Sequence, residues 1–316
     1  MVIKIDEFGG TDWVDGDILY SADLIPTIKY ANNSIGTESA TDIVIASSAN
    51  LADRITTCNS YTINSGQTIT LTTAKTHIIV AKEHITINGD VDGIGAGGHG
   101  ALGWADVVDG ECGLCSAGGQ GGYDGSDTFP DGSGSYQNFI SSGGSGDFSS
   151  AYANEMKFFI SQISSMNYYS SDAVRFFGGG GGTGGGAEEG AGGNGGAGLI
   201  LIAPKITISG SINLNAGDSV SGGASSGGGG GGAGGALFIY SENILTLTDS
   251  TLTVDGTDGS SGYISSAGGN GGAGGLLIYI YGSLIGTPST SASGGSGAGD
   301  GEAGDDGEII AYSSKG

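Results

Sequence analysis

A mainly β fold is predicted, in which short strand layers alternate with packed glycine runs and one partly helical insertion interrupts the series. Three observations predict it. Of 316 residues, 69 are glycine, only 13% are charged, and the 37% that are hydrophobic gather in short runs rich in Ile, Leu, Val and Tyr. The run Gly192–Gly198 enters Leu199-Ile200-Leu201-Ile202, Gly231–Ala236 enters Leu237-Phe238-Ile239-Tyr240, and Gly268–Gly275 enters Leu276-Leu277-Ile278-Tyr279. The third observation is that a non-glycine residue falls at every third position in these runs.

A common phrase returning every 38 or 39 residues is an internal repeat. Glycine loses more backbone entropy on ordering than any other residue, so such runs inside a folded chain need a compensating interaction. A flexible linker is the plain alternative, but linkers are glycine–serine mixtures without register. Three residues per turn is the period of the extended left-handed helix, which would leave bare backbone on two of its three edges. Neighbouring runs could then approach and hydrogen-bond, giving polyglycine-II-like packing.

In chain order, residues 1–57 form an N-terminal attachment or assembly region, with Ser21 capping a short helix that Pro26 interrupts. Residues 40–53 fit strand or helix alike. A first β/glycine repeat occupies 58–103: Tyr61–Leu71 reads strand, turn, strand, followed by strands at His77–Val80 and His84–Ile87 and the glycine run Gly95–Gly103. The phrase His84–Gly93 aligns with Lys205–Asn215. Residues 104–177 form an aromatic insertion, whose Met156, Phe159, Ile160 and Ile163 make one apolar helical stripe. Residues 178–316 hold three further glycine-rich β repeats, and Glu308–Tyr312 closes them as a capping strand.

The net charge of -24, with nine Lys and Arg in all, excludes nucleic acid and anionic membranes as partners. The first residues lack an apolar core of signal-peptide length, and the longest apolar run, Leu276–Tyr281, is far short of a membrane span. Three cysteines, Cys58, Cys112 and Cys115, are too few for a secreted disulfide scaffold. Assembly in cytoplasm followed by exposure outside is the combination this composition implies.

The chemical motifs are sparse. Cys112-Gly-Leu-Cys115, with Cys58 and His99, has zinc or redox spacing but no second CxxC. Gly95–Gly100 fits GxGxxG and Gly223–Gly227 fits GxSxG, without the strand–turn–helix context either requires. No Gly-Lys dipeptide exists, so a phosphate-binding Walker loop is excluded. Asp255, Asp258, Asp300, Glu302, Asp305, Asp306 and Glu308 offer oxygen ligands for calcium, against solvated acidic turns as the simpler account. No catalytic residue, cofactor-binding residue or metal ligand is assigned. Tyr123, Tyr136, Tyr152, Tyr168 and Tyr169 are the contact candidates, for a receptor or a second subunit, with a role in the insertion's own core as the alternative.

The phrase Asp15-Gly-Asp-Ile-Leu-Tyr-Ser-Ala-Asp-Leu24 resembles the "DG-x-x-L-x-A-x-x-L-N" opening of phage tail-fibre and virion-appendage proteins, with Ser21 in place of Ala and Ile25 in place of Asn. The phrases "T-I-N-S-G-x-x-I-T-L" and "I-T-I-N-G-x-V-x-G", with the glycine runs, resemble glycine-rich tail-fibre and tail-tip proteins of phages. Their polyglycine core also resembles the distal adhesin on some T-even-like tail fibres, where such a core displays receptor-binding loops. The resemblance covers roughly residues 58–104 and 178–312. It implies a non-enzymatic virion-surface protein, made in host cytoplasm, that attaches to a host glycan or protein. A homo-oligomer, a trimer first, and other virion proteins are the implied partners. The alternatives are a purely structural decoration or filament subunit and a polysaccharide-degrading tailspike.

Overall fold

The computed structural model describes residues 41–51, 55–71, 76–100, 116–117, 136–137, 190–222, 227–262, 268–299 and 301–313. Within them the protein is mainly β, with parallel strand sheets and no helix. None of the described residues forms a helix able to cross a membrane. The helices expected around Ser21 and Met156 lie outside the described residues.

Seven strands make the larger sheet. In spatial order they are β1 (Asp42–Ile45), β3 (Ile55–Ile63), β5 (Thr76–Ile87), β9 (Gly198–Ile208), β11 (Ala236–Leu247), β13 (Leu276–Ile285) and β15 (Glu308–Ser313). Six short strands make the second sheet, in the order β14 (Ser289–Ser291), β12 (Thr251–Thr253), β10 (Ser211–Asn213), β6 (Asp90–Asp92), β4 (Thr68–Leu71) and β2 (Ala49–Leu51). All pairings in both sheets are parallel. Parallel neighbours need a crossover. Here a short strand of the second sheet supplies each one, since the chain alternates long strand and short strand. A separate antiparallel pair joins β7 (Ser116–Ala117) to β8 (Tyr136–Gln137).

The core lies between the two sheets. Alternating residues of the long strands form ranks, such as Ile63, Ile87, Ile208 and Leu247, or Tyr61, Ile85, Ile206 and Leu245, each aligned by strand register and fully buried. Facing them, Ile69, Val91, Ile212 and Leu252 of the short strands form one rank. Side chains at i and i+2 share a face, so the alternation Lys205-Ile206-Thr207-Ile208 delivers its isoleucines inward.

Within residues 40–53, compatible with helix or strand in sequence, Asp42–Ile45 and Ala49–Leu51 are strands β1 and β2. The segments His77–Val80 and His84–Ile87, expected as two strands, belong to the single strand β5, and the expected boundary at 57/58 falls inside β3. The break expected within β5 is a bulge. Register shifts cross the sheet beside Asn59, Lys82–Glu83, Pro204 and Glu242–Asn243. Pro204 has no N–H to give a ladder, and it sits where the ladder is interrupted. Ser241 Oγ donates to the Ile244 carbonyl at 2.6 Å and fixes the bulge on β11. Turns into the short strands use left-handed residues at Gly66 (φ 74°), Asp249 (φ 54°) and Gly286 (φ 84°).

Ile212 sits at the centre of the short-strand rank with no solvent exposure. Ile212→Ala should cost about 2–5 kcal/mol, read as a lower urea midpoint with an unchanged slope. An unchanged midpoint would mean the two sheets do not share this core.

Candidate functional surfaces

Among the described residues, glycine-rich tracts join the strands, beginning with 93–100, which leaves β6. Tracts 190–197, 227–235, 268–275 and 301–307 enter β9, β11, β13 and β15; tracts 214–222, 254–262 and 292–299 leave β10, β12 and β14. They bond to one another through main chain. Gly190, Gly193 and Gly196 donate to the carbonyls of Gly227, Gly230 and Ala233 at 3.2, 2.9 and 2.9 Å. Gly231 and Gly234 donate to Asn270 and Ala273, and Gly271 and Gly274 to Glu302 and Asp305. Sideways, Gly269, Gly272 and Gly275 donate to Ser260, Thr257 and Val254 at 2.8, 2.9 and 2.6 Å, while Thr257 and Ser260 donate onward to Gly232 and Gly229 of tract 227–235. Donors toward any one neighbour recur every third residue.

Those contacts dictate where glycine is needed. In tract 227–235, a Cβ on Gly232 would collide with the Asn194 carbonyl and one on Gly231 with that of Thr257. The next position, Ala233, carries a side chain and is fully buried. In the outer tract 301–307 only Gly301, Gly304 and Gly307 face neighbouring main chain. The exposed positions there are Glu302, Ala303, Asp305 and Asp306. Central tracts thus need two glycines in three, and an outer tract needs one.

Polar side chains on the tracts brace main chain across tracts. Asn194 Oδ1 accepts from Gly100 N–H at 2.8 Å, Asn270 Oδ1 from Glu302 N–H at 2.8 Å and Asn215 Oδ1 from Asp255 N–H at 2.7 Å. Asp255 Oδ1 accepts from Ser293 N–H and Ser291 Oγ, Asp258 Oδ1 from Ser296 N–H and Asp306 Oδ1 from Gly294 N–H. These are the carboxylates that read as calcium ligands or acidic turns. Among the described residues no three His, Cys, Asp or Glu converge as a metal site.

Two solvent-facing surfaces result. One is a shallow groove of about 440 Å³ lined by Asp218, Ser219, Thr257, Asp258 and Ser260. Its hydroxyls are already committed: Ser219 to the Asp258 carbonyl, Thr257 to that of Gly217 and Ser260 to that of Val220. The groove therefore offers ligands mainly carboxylate oxygen. The other surface is the outer face of the short-strand sheet, where strand register aligns Thr68, Asp90, Ser211, Thr251 and Ser289 beside Thr70, Asp92, Asn213, Thr253 and Ser291. Strands about 4.8 Å apart make this a regular field of hydroxyl, amide and carboxylate groups.

Of the contact tyrosines, Tyr136 falls in β8, opposite Ala117. Tyr123, Tyr152, Tyr168 and Tyr169 lie outside the described residues, as do Cys112 and Cys115. Cys58 is in the core, its Sγ 3.8 Å from the Val80 carbonyl oxygen, and burial with the nearby Asp42 charge pushes its thiol up to about 11. A thiol held protonated is a poor nucleophile and a poor metal ligand. The polar field of the short strands carries a sequence signal not singled out above: paired hydroxyls or carboxylates two residues apart, as in Thr68/Thr70, Asp90/Asp92 and Thr251/Thr253. No family model, curated protein or solved structure matches the chain.

Two outcomes are expected. Gly232→Ala should destabilise by about 1–3 kcal/mol or more through overpacking, whereas Ala233→Gly one position along should cost about 0.5–1 kcal/mol. Equal thermal-melt shifts would refute the positional rule. The second concerns pH. Burial pushes the Tyr61 and Tyr240 hydroxyls up to about 12, from an ordinary 10.0, as it does the Cys58 thiol from 9.0. The folded chain then holds protons that the unfolded chain releases, so the contribution is complete below about pH 9 and is lost as pH climbs toward 12. Urea midpoints should fall through that window, and Cys58→Ala should flatten the early part of the fall.

Proposed function

We propose that this chain is a non-enzymatic virion appendage protein, a tail-fibre or tail-tip component that attaches to a host surface. In this reading a repeat architecture of β-strand layers and polyglycine-II-like tracts is a stiff body that holds contact surfaces and the 104–177 insertion in fixed positions. The observation that carries it is the three-residue spacing of main-chain hydrogen bonds between tracts, each central tract bonding both to tracts alongside and to a tract in the facing layer. Ordering this much glycine costs about 1–2 kcal/mol per residue of backbone entropy. Such an expense is out of place in a tether and suits a body that must not bend.

Support also comes from what the surfaces offer. The polar field of the short strands and the acidic exposed tracts present many weak hydrogen-bonding groups and few apolar ones, which suits contacts that gain from multiplicity. A closed homo-oligomer, a trimer first, multiplies them. The chain would be made in host cytoplasm and act on the outside of the particle, joined to other virion proteins.

Fluorescently labelled protein should bind intact host cells saturably, and light scattering should give a multiple of the 30.8 kDa chain. Absence of cell binding with a retained oligomer would favour a purely structural decoration or filament subunit. New reducing ends released from host glycans would move the chain into the tailspike class.

A further inference from the structure

Half of the large sheet's outer face lies open. Past the bulge, strand register aligns Val44, Thr62, Thr86, Thr207, Thr246 and Ile285 in one rank across β1, β3, β5, β9, β11 and β13. They alternate with the core residues Ile63, Ile87, Ile208 and Leu247, so they point away from the short strands. Every member of the rank is β-branched. Toward the turns the ladder carries Asn64, Asn88, Ser209 and Thr248 in the next rank, all exposed. Charge is confined to the bulge side, where Asp42, His84 and Lys205 share a rank with Ile244, and Lys82, Glu83 and Glu242 lie in the bulge itself.

We propose that a second copy of the chain docks on this half-face, through a two-fold axis that lies in the plane of contact and runs across the strands along the threonine rank. All-parallel sheets occur almost only with both faces covered, and this half has no cover. Val44, Ile285 and Ile244 are 56%, 53% and 36% exposed, three of the six large hydrophobics exposed among the described residues, and all three stand on this one face. Charge narrows the choice of partner. Copies that each carry a net charge of -24 repel one another, so they meet where carboxylates are few, and the two ranks nearest the turns hold none.

A two-fold contact uses the same patch on both copies, so the patch must be complementary to itself. With the axis along the threonine rank, each of its residues meets its own counterpart, methyl against methyl and hydroxyl against hydroxyl. The charged rank then lies over the uncharged turn-side rank, with Lys205 over the second copy's Ser209 and His84 over its Asn88. An axis along the strands would instead set His84 against the second copy's Lys205. Six strands and three ranks cover roughly 500–600 Å² on each copy. The pair then buries about 1,100 Å², near the lower limit for a specific interface, and should form reversibly. A two-fold face closes at two copies, so the homo-oligomer built through it is a dimer and not a trimer.

Thr207, near the centre of the patch, gives the test its handle. In sedimentation equilibrium the unaltered full chain should shift with concentration from 30.8 kDa toward twice that mass. Thr207→Glu and Thr207→Lys should each stay monomeric with an unchanged far-UV β signal. An equimolar mixture of the two should pair again, since each glutamate then meets a lysine. An unaltered chain that stays monomeric at about 100 μM, oligomers that survive either substitution, or a mixture that fails to pair overturns the proposal. Loss of cell binding by Thr207→Glu in a chain that is monomeric throughout gives the face to the host surface and overturns it as well. A second measurement uses the unaltered chain and decides if the variants do not fold: hydroxyl-radical footprinting at rising concentration. Oxidation of Val44, Ile244 and Ile285 should fall while that of Ile94 and Val220, exposed elsewhere, holds steady. Equal protection of all five, or protection of none, rules the pairing out. A monomer that still binds cells sinks this inference alone and leaves the attachment reading standing.

Discussion

Everything in this molecule depends on amide and carbonyl groups of neighbouring tracts meeting without a Cβ between them. At Gly232, Gly272 and Gly307 the neighbouring carbonyl occupies the place a side chain would take. Close approach allows each tract to bond on more than one side, so the entropy spent on glycine is offset by main-chain bonds worth about 0.5–1.5 kcal/mol net apiece and by dense packing. The residues allowed at each position follow from its neighbours. Central tracts read Gly-Gly-X because two edges meet main chain, and tract 301–307 spaces its glycines three apart because one does.

The tracts do not choose their own register. Ala236 N–H donates to Ala197, Leu276 to Gly235 and Glu308 to Gly275, so each long-strand ladder passes unbroken into the tract before it. Ala197, Leu214, Val254 and Ala292 close the core where sheets give way to glycine. The apolar core thus aligns the strands, and aligned strands hold the tracts at the height their hydrogen bonds require. Asn194, Asn215 and Asn270 add side-chain bonds at tract positions where main chain alone leaves an N–H to be filled.

Much of this was legible in the residues. The alternation of Lys205–Ile208 marked a half-buried strand, and the aligned phrases around His84 and Lys205 lie side by side, His84 opposite Lys205. Other features had no local signal. Lys82-Glu83 looked like a strand end because a bulge and a strand end are alike in polarity. The continuous run Leu199-Ile200-Leu201-Ile202 states that both faces are covered, but not by what. Threonines and serines of the short strands look like ordinary strand residues until register lines them up, so the polar field emerges only from five strands together. Which tract neighbours which is likewise invisible in any one run of glycine.

The outer tract shows how such a stack avoids growing without limit. In the preceding pass Gly256 N–H donates to the Ser293 carbonyl of the next tract. Its counterpart Gly294 donates instead to Asp306 Oδ1, so a carboxylate stands in for a further tract. Glu302, Asp305 and Asp306 also make this edge negative, and burial pushes the Glu308 carboxyl up where β15 begins. Open parallel edges invite another chain, and charge on the edge opposes it. A second copy arriving at this edge would bury those carboxylates against its own acidic surface. Charge at this edge therefore opposes end-to-end growth of the stack by strand or tract addition.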